Sequence, residues 1–181
     1  MRLPIALALA LPLAACSGSW KHDDAGRADA RGDADAVHVT LAPTQGNEAR
    51  GELTLRPIDG GVRIEGTLSG LAPGSEHGFH VHETGDCSAP DASSAGGHYN
   101  PANVAHGNPA TMPHHAGDMH NLEADGSGNA RVDVLLPDVS LGGNNDIRGR
   151  ALILHAGADD YTSQPSGNSG ARIACGVIGA R

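Results

Sequence analysis

The chain has 181 residues, 12 Lys+Arg against 21 Asp+Glu and a formal charge of −9 with histidines neutral, which suits one domain and a tail. One Phe, one Trp and two Tyr exclude a stacking platform for single-stranded nucleic acid, and the acidity excludes a phosphate-backbone binder, so no nucleic-acid partner is expected. The outlier is histidine, 11 residues in a chain with 26 glycines, an excess that points to metal before other chemistry.

Met1-Arg2 is a short positive start, and Leu3 to Leu13 is an apolar run too short to span a bilayer. Residues 1–15 therefore read as a secretory signal. The run ends in Leu13-Ala14-Ala15-Cys16, which resembles the bacterial lipobox, where the cysteine is lipidated and becomes the mature N-terminus. Cys16 is thus the expected lipidation site and the one expected contact with a membrane. Ser17, in place of an aspartate associated with inner-membrane retention, favours the outer membrane. The expected location is the bacterial cell envelope, in the periplasm and tethered. Residues 16–36 hold Asp, Ala, Gly and Arg with no period of a helix or strand, as a disordered linker does. About twenty such residues reach roughly 25 Å. With Cys16 acylated, Cys87 and Cys175 remain, an even pair in an oxidising compartment, and are expected to be bridged. Closing so long a loop contributes on the order of 4–5 kcal/mol in the chain-entropy view.

Residues 37–181 form the expected folded domain. Val37–Leu41, Glu48–Pro57, Val62–Ser69 and Glu76–Glu83 alternate or nearly alternate, and Ile58-Asp59-Gly60-Gly61 is a hairpin turn. Asn121–Ala124, Ala130–Leu136, Ala151–His155 and Ile173–Ile178 follow, with a turn beginning at Asp125-Gly126. No window carries an apolar helical period. Eight short strands without crossover helices imply an antiparallel sandwich or barrel with an aliphatic core. Thr84–His120 and Ala156–Arg172 break the spacing. Loops of that length inside a compact domain are functional, and something other than a hydrophobic core must order them.

His80-Val81-His82 lies in an expected strand, where residues i and i+2 share a face, so both rings can reach one ion. The long loop then supplies His98, His106, His115 and Asp118, three imidazoles and a carboxylate that fit a closed four-coordinate zinc site. Metal bound there would order the loop, because its binding energy becomes folding energy. His155 stands alone at the end of Ala151-Leu152-Ile153-Leu154.

From Val37 to the C-terminus these residues resemble the Cu/Zn superoxide dismutases. The resemblance rests on Gly78-Phe79-His80-Val81-His82-Glu83, on Gly97-His98-Tyr99-Asn100-Pro101 and on His115-x-x-Asp118. It continues through His155-Ala156-Gly157-Ala158-Asp159-Asp160 and Gly170-Ala171-Arg172-Ile173-Ala174-Cys175-Gly176-Val177, in the family's order and spacing. It implies an eight-stranded Greek-key β-barrel of immunoglobulin-like sandwich architecture with two long functional loops. It implies one copper per subunit on His80, His82, His98 and His155, and one zinc on His98, His106, His115 and Asp118, with His98 bridging. Asp159 is implied to orient a ligand from each set. Arg172 is implied to dock the anion, and Cys87–Cys175 to be the intrasubunit disulfide. The implied activity converts superoxide to dioxygen and hydrogen peroxide by alternate reduction and oxidation of copper, with His98 taking up a proton. Its expected service is protection of the envelope. The resemblance implies either a monomer or a homodimer, since bacterial relatives include both.

The loop from Ala156 to Arg172 has no lysine, unlike some relatives, which leaves the steering residues other than Arg172 unassigned. His114, beside His115, breaks the His-x-x-Asp spacing. His22 and His38 read as surface residues, His77 and His120 as hydrogen-bonding residues, and Tyr99 as packing. Two other functions share parts of this pattern. A metal carrier on the same barrel would not need Arg172. A dinuclear zinc hydrolase is suggested by His80-x-His82-x-x-x-Asp86 but fits the remaining ligands less well.

Overall fold

A computed structural model describes residues 35–179; the expected signal, Cys16 and all but the last two linker residues lie outside them. The strands are β1 (Val37–Pro43), β2 (Arg50–Ile58), β3 (Gly61–Ser69), β4 (Glu76–His77), β5 (Phe79–His82), β6 (Leu122–Glu123), β7 (Ala130–Pro137), β8 (Ala151–His155) and β9 (Arg172–Val177). Seven form one curled antiparallel sheet in the order β5-β8-β9-β1-β2-β3-β7, and β4 pairs separately with β6. Strands distant in the chain are neighbours in the sheet, in a Greek-key arrangement. The fold is the all-β, antiparallel one expected.

The β2–β3 hairpin closes where anticipated. Ile58 pairs with Gly61 across Asp59-Gly60, and Gly60 takes the positive φ of 86° that a tight turn needs. Leu53, Leu55, Val62, Ile64 and Leu68 point inward and are buried, alternating with polar neighbours.

Two expectations are corrected. Glu76–Glu83 is not one strand; it divides at Gly78 into β4 and β5, so the described residues hold nine strands where eight were expected. The chain changes partner there, from β6 to β8. Gly78 donates its N–H to the Gly157 carbonyl (2.8 Å) and accepts from His155 N–H (2.9 Å). A Cβ at this corner would lie 2.7 Å from Ser169 Oγ and 3.1 Å from His80 Cε1, so only glycine fits. The long first loop also contains a single 3-10 turn over Ser93–Ala95, where no helix was expected. Strand ends shift by one or two residues elsewhere, and β9 begins at Arg172 itself.

β5 separates the core from the loops. Phe79 and Val81 are wholly buried in the main apolar cluster, while His80 and His82 face the other way. Isolated bridges His82↔His98 and His80↔Asp118 fasten the long loop to this strand, and the Cys87–Cys175 disulfide fastens it to β9.

Phe79 is the chain's single phenylalanine and is fully buried behind the two histidines. Phe79→Ala is expected to lower unfolding free energy by about 3–5 kcal/mol, with Phe79→Leu costing far less. Denaturant unfolding of the two variants checks this.

Candidate metal centre

β5 presents His80 and His82, the end of β8 presents His155, and the first loop delivers His98, His106, His115 and Asp118 to the same region. All seven are buried. The ligand atoms of His80, His82, His98 and His155 lie within 4.8 Å of one another, and so do those of His98, His106, His115 and Asp118. His98 belongs to both groups. The seven ligand residues expected from the sequence are thus brought together, in the two sets expected.

Which nitrogen of each ring is left free follows from what the other one does. His82 Nδ1 donates to the Gly96 carbonyl (2.9 Å) and His155 Nδ1 to the Gly170 carbonyl (3.2 Å). Their Nε2 atoms therefore face each other, 3.4 Å apart. Asp159 divides its carboxylate between the groups: Oδ2 accepts from His80 Nε2 (2.8 Å) and Oδ1 from His106 Nε2 (3.0 Å). This leaves Nδ1 of both rings turned inward.

Among the described residues, four buried ring nitrogens have no hydrogen-bond partner: His80 Nδ1, His98 Nε2, His106 Nδ1 and His115 Nδ1. His106 Nδ1 lies 3.0 Å from Asp118 Oδ2 and His115 Nδ1 lies 3.4 Å from Asp118 Oδ1, without hydrogen-bond alignment. His98 Nδ1 lies 2.8 Å from Asp118 Oδ1. Buried polar atoms left unpaired are costly, and lone pairs converging in this way fit bound cations. The first group offers four imidazole nitrogens and the second three nitrogens and a carboxylate oxygen.

The protonation states of His82, His98 and His155 suit ligation, whereas His106 must give up a proton to a bound cation. Burial, then neighbouring His98, pushes His82 down to about 2. Burial, opposed in part by Asp118, pushes His98 down to about 4, and burial with His80 pushes His155 down to about 3. These rings are neutral near pH 7, as ligands must be. Burial also acts to lower His106, but its contacts with Asp118 and Asp159 prevail and raise it to about 9. Burial acts to raise Asp118 and Asp159, but their histidine contacts hold both carboxylates well below the usual range.

A cleft of about 690 Å³ opens onto the first group, lined by His82, His98, His155, Glu83, Gln164 and Arg172 among others. Arg172 Nη1 donates to the Ala92 carbonyl and Nη2 to the Gly96 carbonyl, both at 2.6 Å. The Gly96 oxygen thus accepts from both His82 and the guanidinium. Ala92 and Gly96 flank the 3-10 turn in the disulfide-tied loop, which ties Arg172 to that loop.

Several supports were invisible in the sequence. Asn121 clasps the main chain of Asp159: its Oδ1 accepts from Asp159 N–H (2.8 Å), and its Nδ2 donates to Asp159 O (3.0 Å). Asn100 does the same to Val104, at 3.1 and 2.8 Å. His77 is buried, as a hydrogen-bonding residue, and donates from Nδ1 to the His155 carbonyl (2.7 Å). His114 stays outside both groups, donating from Nδ1 to the His115 carbonyl.

Comparison with known proteins gives one family. The family described as copper/zinc superoxide dismutase (SODC) matches residues 49–178. A "Superoxide dismutase [Cu-Zn] 2" of Aquifex aeolicus is 46% identical over 147 residues, 78% of this chain and 85% of that protein. An extracellular Cu-Zn superoxide dismutase of Caenorhabditis elegans is 42% identical over 124 residues, 65% of this chain and 55% of that protein. The crystal structure of a SOD-like protein from Bacillus subtilis superposes with a TM-score of 0.71 at 44% identity, covering 78% of this chain and 97% of that one.

Because one carboxylate orients a ring in each group, Asp159→Ala is expected to weaken ion binding at both, by about 10–100-fold. Equilibrium dialysis of the variant against Cu(II) and Zn(II) checks whether the two losses occur together.

Proposed function

The chain belongs to the copper/zinc superoxide dismutase family, and from that premise we propose how its own residues disproportionate superoxide to dioxygen and hydrogen peroxide. The observation that carries the reading is His98, one ring shared by two buried ligand groups. His80, His82, His98 and His155 hold copper, since four imidazole nitrogens suit Cu(II). His98, His106, His115 and Asp118 hold zinc, which favours a tetrahedral set of nitrogen and oxygen ligands. When bound, copper supplies the one-electron acceptor and donor that lets two mutually repelling anions react in separate encounters, and zinc a redox-inert positive charge.

The chain's residues do the rest. Asp159 orients His80 and His106 through their Nε2 atoms. His98 has Nδ1 on the zinc side, so Nε2 is the atom where the ring can hold a proton destined for peroxide. Arg172, held by two carbonyls beside His82, docks the incoming anion on a planar, permanently charged donor set. A formal charge of −9 repels that anion at long range. Field focusing by cations in a narrow cleft offsets the repulsion, and superoxide dismutases are the standard example of it.

Residues 37–181 are proposed as the catalytic domain. Residues 1–15 are proposed to be removed and Cys16 lipidated, so that the linker to residue 36 holds the domain off a membrane of the cell envelope, the outer one favoured. Leu13-Ala14-Ala15-Cys16, the disulfide and the extracellular location in the name of the C. elegans relative support this placement. There the activity protects the envelope.

Superoxide decay followed by pulse radiolysis tests the function. The chain loaded with copper and zinc should speed decay, and chelation should return it to the spontaneous rate. A loaded chain that leaves decay at the spontaneous rate rejects the reading. Arg172→Glu should lower the second-order rate constant about 10–1000-fold with copper content unchanged. An unaltered rate and salt dependence would remove Arg172 from the reaction.

A further inference from the structure

Three of the four residues in the zinc group are anchored by main-chain contacts near β5 or within their own turn. His98 bridges to His82, Asp118 bridges to His80, and the His115 carbonyl accepts from Asp118 N–H (3.1 Å). His106 has a different anchor. It lies outside every strand ladder, and one side chain from the other loop takes both of its main-chain groups. Gln164 Oε1 accepts from His106 N–H (3.0 Å), and Gln164 Nε2 donates to His106 O (2.9 Å). The two residues are 58 apart in sequence. The amide thus completes a small ring of two hydrogen bonds with one residue, as a strand neighbour would.

We propose that Gln164 is a positioning residue: it fixes the main chain of His106 from the second loop and thereby sets how slowly zinc leaves. This rests on the assignment of zinc to the His98, His106, His115 and Asp118 group. The ring of His106 is already steered by Asp159 through Nε2. A ring held at its tip still swings if its backbone drifts, and His106 itself is 3% exposed, in a loop ordered by few ladder bonds. Gln164 removes that freedom. It is itself on the cleft lining, so the element that walls the cleft also grips a zinc ligand. Zinc departure requires the His106 nitrogen to withdraw, and with the amide in place its main chain cannot follow without breaking two further hydrogen bonds.

The test uses the chain loaded with copper and zinc. Exchange of bound zinc for isotopically enriched zinc is followed by mass spectrometry, and Co(II) substituted for zinc reports ligand geometry by absorption. Gln164→Ala is expected to exchange about tenfold faster, the effect of losing two ordinary hydrogen bonds, and to shift the Co(II) bands. Gln164→Glu keeps the acceptor for His106 N–H and loses the donor, so its rate should lie between. Ser163→Ala is the control: this hydroxyl donates to Asp160 Oδ2 (2.6 Å) in the same loop, and its loss should leave exchange and bands unchanged. Wild-type exchange rates in both Gln164 variants overturn the proposal, as does equal acceleration by Ser163→Ala. Should Gln164→Ala not fold, Gln164→Glu is judged by the same rate. A wild-type chain that holds no zinc, or a His106→Ala chain that retains it unaltered, overturns the zinc assignment and this role with it.

Discussion

An imidazole has two nitrogens, and tying down one of them aims the other. The whole centre depends on that constraint. Carbonyls of Gly96 and Gly170 take Nδ1 of His82 and His155, while the carboxylate of Asp159 takes Nε2 of His80 and His106. Each tether selects the opposite nitrogen for ligation, so the pattern of free lone pairs is written into the hydrogen bonds behind the rings. Burial adds the second half of the argument by keeping His82, His98 and His155 neutral. Without the tethers the same residues would be a cluster of rotatable rings. With them, the rings are two ligand sets that meet at His98.

The loops that carry most of these residues have little regular structure, yet they must be as rigid as strands. Their order comes from a few directional contacts. The disulfide and two isolated bridges pin the first loop to β9 and β5. Asn100, Asn121 and Gln164 each pair an amide side chain with both main-chain groups of a single residue. Thr44 adds a bond from its hydroxyl to the Arg172 carbonyl (2.8 Å), joining the β1–β2 turn to the start of β9. Side-chain amides here replace the missing neighbours of a sheet.

Much of this was legible in the sequence, for physical reasons. His80 and His82 were readable as one face because a strand has a period of two, and Phe79 and Val81 occupy the opposite face. The hairpin at Asp59-Gly60 was readable from turn chemistry. The loop's candidate ligands were readable from their spacing and their likeness to a family. The break at Gly78 was not, because alternation continues through it and only the pairing partner changes. The 3-10 turn over Ser93–Ala95 has no apolar period to announce it. The amide clasps were hidden for another reason: Asn and Gln in a loop look like ordinary solvated residues, and Asn121 and Asp159 are 38 positions apart. Only folding shows which amide meets which peptide.

The Gly96 carbonyl has a consequence of its own. One oxygen receives the imidazole of His82 from one side and the guanidinium of Arg172 from the other. Both bonds end on the same flat peptide unit, which neither stretches nor flexes appreciably. The spacing between the guanidinium of Arg172 and the ring of His82 is therefore referred to a single shared oxygen. A shift of that one oxygen would bear on the ring and the guanidinium at once.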